Sequence, residues 1–437
     1  MDLWAKPDLN EDTFPLVPGA SENGRTNTLR RTRRLTDSAI LSLFRTWLLQ
    51  DYIAAYCYSL AATRIFKRCY WVDGLGIDNR HVTNASAPDS ATDTSAVPTA
   101  PTPKGRKKAA PTVVPPSLQP IVNLSQLLAQ ENKPIHLRGF VLEAGSSKNS
   151  RATRAKANEH EQRSIAVPAE GGIVRASWPE ASSTLLKEIE QSPAIFLLNP
   201  LGPILFSDDD LAPLYQRTVP TELCLLIPHK QIEVRLLAAH KNQAQAAALT
   251  GLLRSNRWKT LPVTKGKEGE AITGFIELFQ ASMQRHFQLP AQSIALPTPN
   301  GPASVAPLPY TLIYATRRQD SLLNMNDAVC LYRRRTYQDS YQGVLGEEWF
   351  ASQEQEHHTA RLQALMSRIK QQGAATRIRR WPDLRQQLLI ANFGQFTHHE
   401  YDTIIQQLLS NKEVQCIWRT TKTEESIPGI DDTLIWN

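Results

Sequence analysis

The sequence predicts an α/β fold in which helices cover both faces of a parallel sheet. Short stretches of unbroken hydrophobicity, such as 194–198 and 222–227, alternate with stretches whose apolar residues recur at helical spacing. Strands buried on both faces have this uninterrupted apolar character, because the crossover helices of a parallel sheet cover it from both sides. The chain has 437 residues and 41% of them are hydrophobic, so two or three domains with a sizeable core are expected.

The first strand of the sheet is expected near the start of the chain. A long amphipathic helix begins at Thr36, and a second helical stretch continues to about residue 65. The run 69–72 is aromatic and β-branched, which suits a buried strand that ends at Asp73. A loop with two glycines, 73–79, follows this strand.

The later strands repeat this pattern. They are expected at 135–142, 173–174, 194–198, 222–227 and 310–315. The first of these ends at Glu143 and the third ends at Asn199. A helical insertion is predicted at 238–289, and a Pro-rich stretch at 290–309 separates it from the last strand. A helix at 321–332 then closes the sheet.

Composition predicts the domain organisation. Residues 1–27 are expected to form a disordered tail, and polar inserts at 80–116 and 145–162 hold too little apolar surface to fold. The α/β domain is expected to span 28–335. A polar helical linker is expected at 336–375.

The C-terminal segment 376–437 predicts a winged-helix-like domain. Leu384 and Leu388 lie on one helix, and Thr397 is placed to cap a second helix. Alternating apolar residues after the second helix predict two strands joined by a polar turn. Two helices followed by a two-stranded wing are typical of winged-helix domains, and other small α+β modules share this order.

Basic residues outnumber acidic ones by seven, and many of them lie in four runs. The runs are Arg30, Arg31, Arg33 and Arg34; Lys104, Arg106, Lys107 and Lys108; Arg333, Arg334 and Arg335; and Arg377, Arg379 and Arg380. Local positive potential favours polyanions, so nucleic acid is the expected partner, with Arg377, Arg379, Arg380 and Lys412 as phosphate contacts. For any single run, the alternative is a solvated face or a linker.

Metal, disulfide and membrane chemistry have no support in the sequence. The five cysteines form no C-x-x-C pair, and the histidine pairs 357–358 and 398–399 are adjacent residues whose side chains diverge on a helix. Neither a metal site nor a disulfide framework is therefore expected. The sequence has no apolar run of the signal-peptide or membrane-spanning type, so a cytoplasmic protein without a membrane partner is expected.

The candidate cofactor-binding residues lie at the ends of two strands. In a doubly wound sheet the ligand lies over the carboxyl ends of the strands, and the first loop is glycine-rich so that the backbone approaches the cofactor. Asp73, Gly74 and Gly76 lie in that loop, and Glu143 is placed to bond ribose hydroxyls. A turn that ends a strand needs glycine anyway, so a purely structural role for the loop is the alternative.

The candidate catalytic residues are Asn199 and Pro200, which follow the most apolar strand. Amino-group methyltransferases carry an Asn/Asp-Pro-aromatic signature at this place. There the side chain and a backbone carbonyl accept hydrogen bonds from the target amine, while the aromatic ring stacks on the base. Leu201 stands where the aromatic residue is expected, and a proline turn that caps the strand is the alternative role.

From Thr36 onward, the order and spacing of these segments resemble the three-Cys-motif partner (TcmP) family. The resemblance lies in Trp71, Val72 and Asp73, in Glu143, in 195–202, in Trp258, and in 310–316 with the helix that contains Met325. It implies a Rossmann-type, methyltransferase-like sheet with an appended winged helix and S-adenosylmethionine as the cofactor. It also implies a radical-type protein partner that bears three cysteines.

The first loop departs from the family pattern Asp-x-Phe-Ala-Gly-Pro-Gly. Asp73 and Leu75 correspond to its Asp and Phe, but the residues 76–79 replace Ala-Gly-Pro-Gly. A Cβ atom where the backbone touches a cofactor causes a clash or forbids a positive φ. Two functions therefore remain open. One is a nucleic-acid-directed methyltransferase with a degenerate cofactor loop, and the other is a non-catalytic nucleic-acid-binding or scaffold subunit of a mobile-element or defence system.

Overall fold

The computed structural model describes residues 40–41, 43–76, 118–143, 171–264, 266–296, 309–341, 347–376, 379–419 and 426–436. The predicted tail 1–27 and the predicted polar inserts 80–116 and 145–162 lie outside these ranges. The basic runs at Arg30–Arg34 and Lys104–Lys108, and Arg377, also lie outside them.

Seven strands form one sheet. They are β1 (Arg68–Asp73), β2 (His136–Leu142), β3 (Gly172–Val174), β4 (Ala194–Leu198), β5 (Thr221–Pro228), β6 (Gln292–Leu296) and β7 (Tyr310–Ala315). Their order in the sheet is β3-β2-β1-β4-β5-β7-β6. The first five strands pair in parallel, whereas β7 runs antiparallel to both β5 and β6. The predicted α/β fold is confirmed, with a sheet that is largely rather than wholly parallel.

Helices connect these strands and continue after them. They are α1 (Gln50–Thr63), α2 (Gln119–Gln130), α3 (Trp178–Ile189), α4 (Asp208–Gln216), α5 (His229–Lys241), α6 (Gln243–Leu253), α7 (Glu268–Gln284), α8 (Gln319–Tyr341), α9 (Glu347–Thr376), α10 (Trp381–Ala391) and α11 (His398–Ser410). Among the helices of the described ranges, none is both long enough and apolar enough to cross a lipid bilayer.

The leading helix differs in detail from its prediction. A π-helical stretch, Phe44–Leu49, runs directly into α1, so the two predicted helical stretches form one continuous helix. The wider π turn holds Phe44, Leu48 and Leu49 against the core, while Arg45 from the same turn reaches the loop after β1.

A hydrophobic core lies on each face of the sheet. The leading helix, α2 and α8 to α11 cover one face, where Ile195 and Leu197 of β4 are buried. Helices α3 to α7 cover the other face, where Phe196 and Leu198 are buried. Alternate residues of a strand point to opposite faces, so the unbroken apolar run of β4 supplies both cores.

Strand β6 lies in the Pro-rich stretch that the sequence predicts to be without a strand. Gln292, Ile294 and Leu296 are buried, whereas Ser293 and Ala295 are exposed. Because β6 is the edge strand of the sheet, prolines beside it remove no hydrogen bond from a central ladder. The high proline content of this stretch therefore does not exclude a strand, although it weakens the sequence signal.

The C-terminal elements share the first core. Two strands, β8 (Val414–Ile417) and β9 (Thr433–Trp436), pair antiparallel after α10 and α11, as the sequence predicts. The predicted cap Thr397 forms a capping box at the start of α11. Buried residues of α10, α11 and β9 belong to the same core as those of α8. The C-terminal elements therefore lie directly against the α/β core.

The turn between α10 and α11 docks on α8. Asn326 of α8 donates a hydrogen bond to the carbonyl oxygen of Phe396 (2.8 Å) and accepts one from the backbone N–H of Gly394 (2.8 Å). Gly394 has a φ of +71°, and a Cβ atom there would lie 2.4 Å from Cγ1 of Val329. Only glycine satisfies both the left-handed conformation and this close approach.

Gly394→Ala is therefore expected to lower the free energy of unfolding by about 2 to 4 kcal/mol, from backbone strain and overpacking together. Gly269→Ala is the matched control, because it lies in the first turn of α7 and its added Cβ meets nothing within 4 Å. Urea unfolding measures both variants. Equal unfolding midpoints for the two variants would contradict the close docking of this turn.

Candidate functional site

The predicted site residues Asp73, Glu143 and Asn199 come together at one edge of the sheet. They do so because β1 lies between β2 and β4. Asp73 pairs in register with Val141 of β2 and with Leu197 of β4. Glu143 and Asn199 each lie two residues beyond those partners. All three therefore lie at the carboxyl edge, where a doubly wound sheet binds its ligand.

Glycine stands at positions 74 and 76 of the first loop for two different structural reasons. The backbone N–H of Gly74 donates to the carbonyl oxygen of Leu197 (2.7 Å), and a Cβ atom at Gly74 would lie 2.7 Å from Cδ2 of Leu198. Gly76 has a φ of +86°, which favours glycine. Packing against β4 thus favours glycine at position 74, and the backbone conformation of the turn favours it at position 76.

Asp73 is a fully buried carboxylate held by Arg45. The Nη2 atom of Arg45 lies 3.1 Å from Oδ2 of Asp73 and donates to Oδ1 (3.3 Å) and to the carbonyl oxygen of Gly76 (3.2 Å). The backbone N–H of Leu75 also donates to Oδ1 of Asp73 (2.9 Å). Protein groups thus bind the carboxylate that the sequence assigns to a cofactor.

The pKa of Asp73 is raised, because burial disfavours the charged carboxylate more than Arg45 and the Leu75 N–H favour it. Arg45 itself is largely buried, with 16% of its side chain exposed. Its Nε atom is buried without a hydrogen-bond partner in the described part of the chain. Arg45 is not among the site residues predicted from the sequence. The sequence feature that points to Arg45 is its position as a charged residue within a run of apolar residues that faces the core.

Glu143 differs from Asp73 in the surroundings of its carboxylate. Its backbone N–H donates to the carbonyl oxygen of Val174 (2.9 Å), which fixes the start of the loop after β2. The side chain is half-buried and forms no hydrogen bond or ion pair within the described residues. The Cβ position of Gly76 lies 3.6 Å from the carbonyl oxygen of Leu142, so Glu143 adjoins the first loop.

Asn199 closes a turn after β4. Its Oδ1 atom accepts a hydrogen bond from the backbone N–H of Leu201 (3.0 Å), and its Nδ2 atom donates to Oε1 of Gln231 (3.4 Å). Pro200 is buried, and its carbonyl oxygen accepts from the N–H of Phe206 (3.0 Å). Leu201, at the position expected for a stacking aromatic residue, is completely buried.

Side chains of helix α5 form hydrogen bonds with this turn. Arg235 donates to the carbonyl oxygen of Gly202, and also to those of Leu201 and Pro203 (3.3 Å each). Burial lowers the pKa of Arg235. Gln231 and Arg235 lie one helical turn apart, so both reach the turn from the same face of α5. Helical structure is predicted only from residue 238, whereas α5 begins at His229, so neither Gln231 nor Arg235 is among the predicted site residues.

The predicted phosphate contacts of the C-terminal segment lie at different places. Arg379 and Arg380 are exposed before α10, where the carbonyl oxygen of Arg379 accepts from the N–H of Leu434 (2.7 Å). Lys412 is exposed after α11, with a φ of 58°. The structure thus places Arg379 beside β9 and Lys412 just before β8.

The first turn of α11 is tied to α8 by two ion pairs, although His398 and His399 are exposed. His398 pairs with Asp327, and Oε1 of Glu400 lies 2.7 Å from Nη2 of Arg334. The hydrogen bond that the His398 ring donates to the carboxylate of Asp327 is the main reason that the pKa of His398 is raised. These pairs hold the amino end of α11 against α8.

The run Arg333, Arg334 and Arg335 joins elements of the fold. Arg333 donates to the carbonyl oxygen of Gly394 (3.1 Å), and Arg335 lies 2.8 Å from the carboxylate of Asp51 in α1. The predicted polyanion contact by this run therefore competes with contacts inside the protein.

Over the described ranges, no group of three or more His, Cys, Asp or Glu side chains is arranged to hold a metal ion. Comparisons of the chain with protein-family models, with curated proteins and with solved structures each found no match.

Proposed function

We propose that this chain binds S-adenosylmethionine at the carboxyl edge of its sheet, as a divergent, nucleic-acid-directed protein of the three-Cys-motif partner type. The strand order supports the proposal. The order β3-β2-β1-β4-β5 is that of the doubly wound nucleotide-binding sheet. A reversed strand between the fifth and the sixth, as β7 is here, is the variation of that sheet found in Rossmann-type methyltransferases. This support is an analogy at the level of the fold.

Glu143 is the residue on which the proposal depends. An acidic side chain at the end of the second strand accepts hydrogen bonds from ribose hydroxyls in sheets of this order. Glu143 has that position, adjoins the loop 74–76, and keeps its carboxylate free of protein partners within the described residues. In the proposed complex the ribose lies against Glu143, and the methionine part lies over the first loop.

The proposed activity is cofactor binding rather than methyl transfer to an exocyclic amine. The amide of Asn199 is used by the turn and by Gln231, and Leu201, which stands at the position of the stacking aromatic residue, is buried. Asn199 and Pro200 thus act in this proposal as the turn that ends β4, not as acceptors for a target amine.

Isothermal titration with S-adenosylmethionine tests the proposal. Loss of hydrogen bonds to a charged group costs about 1.5 to 3 kcal/mol, so Glu143→Gln is expected to weaken binding about 10- to 100-fold. Glu188→Gln on α3 is the control, because Glu188 is also half-buried. Absence of binding heat with the unaltered protein, or equal affinities for both variants, would overturn the proposal.

We also propose that α9 to α11 with β8 and β9 form a winged-helix-like unit, since helix, helix, helix and hairpin follow in that order. A recognition helix reads the major groove through its amino-terminal residues. The pairs formed by His398 and Glu400 hold that end of α11 against α8. The unit therefore serves in this proposal as a docked structural element, and the phosphate contacts are sought elsewhere.

A further inference from the structure

A basic surface lies at the amino edge of the sheet, opposite the carboxyl edge that holds Glu143. The loops that precede β1 and β2 meet there, because the N–H of His136 donates to the carbonyl oxygen of Lys67 (2.9 Å) and Arg68 pairs in register with His136. We call this the amino-edge surface. It consists of Arg64, Lys67, Arg68, Lys133 and His136, all of them exposed.

Its positive charge is little compensated. Glu131 is the carboxylate on these two loops, and it accepts a hydrogen bond from Tyr58 (3.0 Å) and lies 4.0 Å from Nζ of Lys133. In the part of the chain that the structure describes, the side chains of Arg64, Lys67 and Arg68 form no hydrogen bond or ion pair.

Cations at this edge also have a structural role, because α1 and α2 both end there. A helix C-terminus carries about half a negative charge, which nearby cations stabilise. The two helix ends and the carboxylate of Glu131 together carry about two negative charges. They offset about half of the positive charge of the four cations, Arg64, Lys67, Arg68 and Lys133. A surplus of positive charge therefore remains beyond what the helices require.

We propose that the amino-edge surface binds the sugar-phosphate backbone of nucleic acid. Arg64 and Arg68 offer planar guanidinium groups, which match phosphate oxygens with two parallel hydrogen bonds. Lys133 is held 5.5 Å from the centroid of the Tyr58 ring, so part of the surface is ordered before binding. The proposed nucleic-acid surface rests on the nucleic-acid-directed part of the proposed function, but not on the cofactor site, which lies at the other edge of the sheet.

Nucleic acid fits this surface better than an anionic membrane does. Ile65 is 73% exposed between the cations, so it is the apolar side chain available for insertion. Burying one isoleucine stabilises by about 1.5 to 3 kcal/mol, less than the insertion of a single acyl chain, which is itself marginal as an anchor. Repeated phosphate contacts need no such insertion.

The test is the salt dependence of binding to a labelled DNA duplex of about 20 base pairs. Four phosphate contacts predict a slope of about −3.6 for log K against log salt, or about 100-fold weaker binding at about 200 mM than at about 50 mM salt. In the Arg64→Gln/Lys67→Gln/Arg68→Gln variant the slope is expected to fall to about −0.9.

Two control variants test whether binding is specific to the amino-edge surface. Lys187→Gln/Lys241→Gln/Arg257→Gln removes three exposed cations from elements that cover the other face, and it is expected to keep the wild-type slope. Arg379→Gln/Arg380→Gln is expected to keep it as well. Circular dichroism and thermal unfolding check that each variant folds.

Several outcomes would overturn the inference. They are a wild-type slope in the amino-edge variant, a slope lost only in the Arg379→Gln/Arg380→Gln variant, and no duplex binding at low salt. Binding of the chain to phosphatidylserine vesicles but not to the duplex would also overturn it in favour of a membrane surface. Failure of these titrations leaves the result with S-adenosylmethionine unaffected, so the two proposals fail separately.

Discussion

Replacement of Arg45 by methionine is expected to lower the free energy of unfolding by about 3 to 5 kcal/mol, the usual cost of removing one partner from a buried ion pair. Asp73 would keep the backbone N–H of Leu75 as a donor but would lose its counter-charge in a fully buried position. Methionine preserves most of the apolar volume, so the loss reports on charge rather than on packing.

A second substitution, Asp73→Asn, separates the effect of the unpaired buried charge from the effect of altered packing. In the Arg45→Met/Asp73→Asn double variant no unpaired charge is buried, so much of the lost stability is expected to return. The sum of the single effects should exceed the double effect by more than about 1 kcal/mol. Urea unfolding measures all variants, with Arg64→Met at an exposed site as the control. Additive effects would show that Arg45 and Asp73 do not interact.

The stability of the Arg45→Met single variant is expected to depend on pH. Burial already raises the pKa of Asp73, and loss of the Arg45 charge removes a cause that lowers it. Stability that depends on a raised carboxyl pKa is present below the unfolded value and is lost as pH rises through the folded value. The defect of Arg45→Met is therefore expected to be smallest near pH 4 and to grow as pH rises.

Glu222→Gln is expected to remove a pH dependence worth about 3 kcal/mol. Glu222 is fully buried in β5 and accepts hydrogen bonds from Tyr314 (2.7 Å), Tyr52 (3.0 Å) and Thr316 (3.0 Å). Burial raises its pKa to about 7, against the lowering effect of these donors. The ordinary pKa of a glutamate, 4.5, serves as the value for the unfolded state.

The direction follows from the raised pKa. The contribution of Glu222 is fully present below pH 4.5 and is lost as pH rises through about 7, because the folded state must then hold a buried charge. Glutamine stays neutral, so the variant is expected to be more stable than the wild type at about pH 8 and to lack this decline.

Unfolding free energies from about pH 4 to about pH 8 measure this difference between wild type and variant. Glu277→Gln, an exposed site on α7, is the control and should follow the wild type across the range. A Glu222→Gln variant that declines with pH as steeply as the wild type would show that Glu222 is already ionised in the folded protein at acid pH.

The central strands were predictable from sequence because their signal is local. The run 194–198 is apolar at every position, and a strand buried on both faces needs that pattern. Strand β6 has no such run, and only its pairing with β7 at the edge makes it a strand. The reversal of β7 was also not predictable, because an apolar run carries no direction.

For the candidate site, position along the chain predicted Glu143, since an acidic residue that ends a strand is visible in the sequence. The partners of Asp73 and Asn199 were not predictable in this way. Arg45 comes from a helix before the sheet, and Gln231 and Arg235 come from α5, the third element after Asn199. Such contacts depend on tertiary packing, which spacing along the chain does not encode.

The two cores of the sheet differ in when a growing chain is able to complete them. The core under α3 to α7 draws its buried residues from Tyr70 to Ala315, whereas the core on the opposite face extends from Ile40 to Leu434. On the ribosome the core under α3 to α7 is complete once residue 315 has emerged. The core on the opposite face needs about 120 residues more, which at common elongation rates is about 6 to 24 seconds with part of its apolar surface uncovered.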